Sequence, residues 1–192
     1  MVDEVFSSTD ISHTCPQSVA QVLGVGLMPV SIWHVWILKA LENPFAVGGI
    51  PKAQDLAQAV LVCSNDRKSF GEIMSDDDTL TDKIADLAQA WYEVDDISSH
   101  IRSFHLYVEQ GVSGPEFWED PKTDAVKDRQ RCPVEWHLVY MLLNNKVCHT
   151  EEEAWNYPFN RAVCWSAVVG EQNGSRNYID QVDREQIKKV NL

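Results

Sequence analysis

Residues 32–42, IWHVWILKALE, constrain the fold of this chain more than any other stretch. Read at 3.6 residues per turn, Ile32, Trp33, Val35, Trp36, Ile37, Leu38, Ala40 and Leu41 cover nearly the whole circumference, leaving only His34, Lys39 and Glu42 polar. A helix apolar all round has no solvent face, so other elements must wrap it. Ser31 is placed to cap its start by accepting a hydrogen bond from a free backbone N–H, with Val30 and Val35 as a hydrophobic staple across the cap. Asn43-Pro44 ends it, because proline cannot continue the ladder and holds its predecessor away from helical angles. A Gly48-Gly49 turn leads to Pro51, which suits a first helical position. Ala53, Leu56, Ala57, Val60, Leu61 and Cys63 then follow at three-and-four spacing as one core-facing stripe. The expected class is therefore all-α, a compact multi-helix domain of two helical lobes around this apolar helix pair.

The rest of the chain arranges itself about that pair. Residues 1–15 read as a polar N-terminal arm. Residues 16–114 form a first lobe, opening with a short helix over 16–23 that Gly24 and Gly26 end. Between residues 72 and 96 nine positions are Asp or Glu and only Lys83 is basic. Asp76-Asp77-Asp78 suits a helix start, where carboxylates offset the positive end of the dipole. Leu80, Ile84, Leu87, Trp91 and Val94 continue it as an amphipathic stripe. Asp95-Asp96 either carries that helix on or caps a second one, with Ile97, Ile101, Phe104 and Val108 facing inward.

Gly111, Gly114 and Pro115 close the lobe, and residues 115–131 read as an exposed connection. Phe117 and Trp118 lie within it among charged neighbours, as anchors for a partner or as clamps onto the body. Residues 132–192 form a second lobe packed on the first, the whole making one domain. Pro133 opens a helix with Val134, Leu138, Met141 and Leu142 on one stripe, and Trp136 and Val139 beside it. Thr150 with Glu153 makes a capping box. Pro158 starts a further helix that Gly174 stops, and residues 175–192 read as a final surface helix. Trp33, Trp36, Trp91, Trp136 and Trp165 are expected on buried stripes. Sustained period-two alternation is missing, so little or no sheet is expected.

The chemistry-bearing residues form no constellation. His34, His100, His105, His137 and His149 include no HxxxH or HExxH pair. The five cysteines include no CxxC, a pattern that suits free, mostly buried thiols in a reducing compartment. Asp76-Asp77-Asp78 lacks the glycine and the twelfth-position glutamate of a calcium loop. No catalytic residue, metal or cofactor is expected, and the reading is non-enzymatic. A formal charge of −13 argues against nucleic acid, whose phosphates need clustered Lys and Arg. The N-terminus has no basic region followed by an apolar run, and no apolar stretch reaches the length of a membrane span.

The order of parts resembles the tail assembly chaperones of tailed bacteriophages and related helical virion-associated proteins, over about half the chain. The likeness rests on the apolar helix running into LENPFAVGG and PKAQDLAQAVLVCSN, and on PVEWHLVYMLL followed by TEEEAWNYPFNRAVCWSAVVGEQNG. The resemblance implies a protein of the infected bacterium's cytoplasm that holds a phage structural partner, such as the tape-measure or tail-tube protein, until assembly. It implies helix-in-groove binding, with Trp33, Trp36, Phe45, Trp155 and Phe159 lining or supporting a groove between the lobes. A connector or tail protein that stays in the virion, and an acidic mimic of DNA acting through residues 72–96, are the rival readings.

Overall fold

The structure, a computed structural model, describes residues 20–75, 77–114 and 132–174. Nine helices and one two-stranded hairpin make up the described residues, so the molecule is mostly helical as expected. The arm, Phe117 and Trp118 in the connection, and the tail lie outside them.

Helix α1 (Ile32–Ala40) sits at the centre, with Ile32, Trp33, His34, Val35 and Leu38 buried. Burying each large side chain is worth about 1.5–3 kcal/mol. Ser31 caps α1 by accepting from His34 N, and the His34 ring answers by accepting from Ser31 N at 3.1 Å. The helix stops two residues before the expected end: Glu42 takes a left-handed φ of 51°. Glu42 N then donates to Lys39 O and Asn43 N to Leu38 O, closing a Schellman turn. Asn43-Pro44 begins a separate single turn, α2 (Pro44–Val47). Gly48 and Gly49 follow at φ 89° and 138°, angles that favour glycine.

Helix α3 (Ala53–Cys63) starts two residues later than Pro51 suggested, because Asp55 accepts from Lys52 N at 2.8 Å and fixes the first turn there. Residues 66–75 show no apolar stripe that predicts a helix, yet α4 (Arg67–Met74) forms behind the Asp66 cap. Helix α5 (Asp77–Glu93) carries the acidic stretch. Asp96 caps α6 (Ile97–Val112) by accepting from Ser99 N, so the segment is two helices. Helices α7 (Val134–Asn144), α8 (Glu151–Trp155) and α9 (Phe159–Gln172) complete the body. Thr150 and Glu153 form the expected capping box at α8.

Two expectations need correction. The helix proposed over 16–23 is contradicted at its described end: β1 (Gln21–Val22) pairs antiparallel with β2 (Val25–Gly26). Leu23 and Gly24 between them both have positive φ, as a two-residue hairpin turn requires. Trp136 and Trp165 were expected on buried stripes, yet they are 44% and 43% exposed. On α7 the inward face is Glu135, Leu138, Val139 and Leu142, which rotates Trp136 to the edge.

Helix α1 touches α2, α3, α7, α8 and α9, while α3 lies along α5 and α6 packs on α9. Backbone bonds reinforce the join. Ile32 N donates to Tyr157 O at 3.1 Å and Phe159 N to Val30 O at 2.9 Å, tying the start of α1 to the α8–α9 corner.

Candidate functional site

A cavity of about 230 Å³ opens where α1, α2, α3, α6 and α9 meet. Val35, Leu38 and Lys39 face it from one side of α1, at the three-and-four spacing that puts residues on one helical face. Phe45 and Ala46 enter from α2, Val108 and Val112 from α6, and Phe159 from the first position of α9. Val30 and Cys63 complete the wall. The two Pro-Phe corners explain the phenyl rings. Asn43 accepts from Phe45 N at 3.1 Å, and on either side of Pro158 the Tyr157 carbonyl accepts from Ile32 N while Phe159 N donates to Val30 O, so each ring leaves a fixed turn.

The wall carries little free charge. Lys39 Nζ lies 2.7 Å from Glu135 Oε1, and that carboxylate is buried while the lysine is about half exposed. Burial pushes the Cys63 thiol up to about 12, with the neighbouring Tyr107 hydroxyl pulling slightly the other way, so the sulfur stays protonated at neutral pH. Tyr107 donates to Met28 O at 2.7 Å, and burial raises its hydroxyl too.

A second aromatic group lies round α1. Trp36 stands about 100° from Val35, and its ring centroid is 5.8 Å from that of Trp155. Trp136 meets Trp155 edge-on at 5.0 Å and 89°. The Arg67 guanidinium sits 5.7 Å from the Trp155 ring and pairs with Glu152 at 3.1 Å. Trp155 Nε1 donates to Glu151 at 3.0 Å, so its buried polar edge is satisfied.

Of the residues expected along one groove, Phe45 and Phe159 share the cavity, Trp36 and Trp155 share the tryptophan group, and Trp33 is core, against Phe70 and His34. Of this lining the sequence points to Phe45 and Phe159 alone; Val30, Val35, Leu38, Cys63 and Val108 read there as cap or core residues, and Lys39, Ala46 and Val112 carry no such signal. Lys39 was legible only as a basic residue in the last turn of α1, since its partner Glu135 lies far along the chain.

Among the described residues no group of three or more His, Cys, Asp or Glu is placed to hold a metal, and no helix is long and apolar enough to cross a membrane. Compared with known proteins, the chain matches no family model, and no curated protein and no solved structure matches it.

Proposed function

We propose that the protein is a non-enzymatic binding protein of phage tail assembly, a chaperone that holds an apolar helical segment of the tape-measure or a tail component. The observation that carries this reading is the convergence of Phe45 and Phe159, from the two Pro-Phe corners of the resemblance, on one apolar cavity. A cavity of this kind takes an anchor side chain of a partner helix, and the tryptophan group with its exposed Trp136 edge offers further apolar contact. A charge of −13 keeps such a surface from self-association.

Co-expression with the tape-measure protein of the same genome tests it. The wild-type chain should keep that protein soluble and co-purify with it. Ala46→Glu, at the half-buried rim, should lose the complex while keeping its helical circular dichroism. An undiminished complex with the folded variant sinks the reading. Recovery of the chain from purified particles would instead favour a permanent virion component.

A second reading has its own observation: Asp78, Asp82 and Asp86 are exposed at four-residue spacing along α5. Such a stripe suits an acidic mimic of DNA, and binding to a host defence protein that weakens steeply with salt is its signature.

A further inference from the structure

The cavity between Phe45 and Phe159 has a size and a charge that together select an occupant. At about 230 Å³ it is larger than the roughly 150 Å³ apolar cavity that admits benzene, and smaller than the roughly 300–1,000 Å³ of a drug-sized site. Room for one ring or one short branched chain follows. Val30, Leu38, Val108 and the two phenyl rings offer water no hydrogen bond, so filling by solvent gains little. Among the described lining residues Lys39 alone is charged, and the buried Glu135 carboxylate already holds its ammonium at 2.7 Å. An entering anion would have to displace Glu135 from Lys39, and an entering cation would find no carboxylate among the described residues of the wall.

We propose that this cavity is a binding site for compact, uncharged apolar molecules of one ring or about six carbons, and that the Lys39–Glu135 pair excludes the matching carboxylates. The site is the cavity that the tail-assembly reading also uses, but the assignment concerns free small molecules, so either can fail without the other.

The test uses the full chain with labelled valine and leucine methyls, titrated with isobutylbenzene, 1-hexanol and hexanoate. Both neutral probes should shift the methyls of Val30, Val35 and Leu38 saturably, and hexanoate should bind about tenfold or more weaker than 1-hexanol. Ala46→Phe should abolish these shifts by filling the cavity from α2, and Val112→Phe should do the same from α6. Glu135→Gln frees Lys39 and should strengthen hexanoate about tenfold while leaving 1-hexanol nearly unchanged. Absence of saturable shifts with both neutral probes overturns the site. So does their persistence in whichever filled variant keeps a dispersed spectrum. Equal binding of hexanoate and 1-hexanol to the wild-type chain overturns the charge selection.

Discussion

The side-chain amide of Asn43 is buried, and all its polar atoms are used: the oxygen accepts from Phe45 N, and the nitrogen donates to Asp55 O at 2.8 Å and Gln58 Oε1 at 3.0 Å. One residue thus caps α2 and pins it to α3. Asn43→Ala removes the cap and leaves the buried Phe45 N–H without its acceptor, so a loss of roughly 2–3 kcal/mol is expected in urea unfolding. Its neighbour points the other way. Glu42 and Lys146 hold left-handed φ values of 51° and 57° at the ends of α1 and α7, where glycine is usual. Glu42→Gly relieves that strain against a greater unfolded-state entropy, and should stabilise by up to about 1 kcal/mol, read as a higher urea midpoint.

At the scale of elements, α1 and α7 are joined by Lys39 and Glu135 across a boundary that is dry on the glutamate side. Lys39→Met keeps the stem and leaves the carboxylate buried without its cation; a loss of roughly 2–3 kcal/mol is expected, and Glu135→Gln in the same background should recover part of it. The double-mutant cycle measured by chemical denaturation checks both numbers. Elements whose signals are local were legible in the sequence. The all-round apolar α1 and the capping box of Thr150 and Glu153 depend on residues within a few turns of each other, whereas Asp95-Asp96 left one helix or two open and the bond from Ser99 N to Asp96 decides it. The hairpin at Gln21–Gly26 was not legible, since its turn is supported by His100 Nδ1, which accepts from Leu23 N at 3.3 Å. Helix α4 has no periodic stripe to read, because Phe70 is its only buried residue. The cavity was half legible: the resemblance put Phe45 and Phe159 along one groove with three tryptophans, whereas which of those rings meet depends on packing among helices from distant parts of the chain.

For the molecule as a whole, His34 links stability to pH. Its Nε2 lies 2.8 Å from Asn65 O, its Nδ1 accepts from Ser31 N, and burial lowers its pKa from 6.5 to about 4. Between those values the unfolded chain takes up a proton that the folded chain refuses, so stability is complete above about pH 6.5 and falls as the pH drops toward 4. Unfolding free energy at pH 5 should be lower than at pH 7 by on the order of 2 kcal/mol from this group. Equilibrium denaturation at the two values checks it, and a His34→Gln variant should lose most of that difference. Asp66, next to Asn65, titrates below its usual range, chiefly through the bond from Ser69 N.

Helix α1 carries a Pro-Phe corner at each end: Tyr157-Pro158-Phe159 is sewn to its start by backbone hydrogen bonds with Val30 and Ile32, and Asn43-Pro44-Phe45 leaves its end. Nine residues of helix span about 13 Å, and each added residue turns the far end by about 100°. The distance and bearing between the two phenyl rings are therefore a matter of counting. A single insertion within α1 would swing Phe45 away from Phe159 and close the hollow, even with every apolar side chain retained.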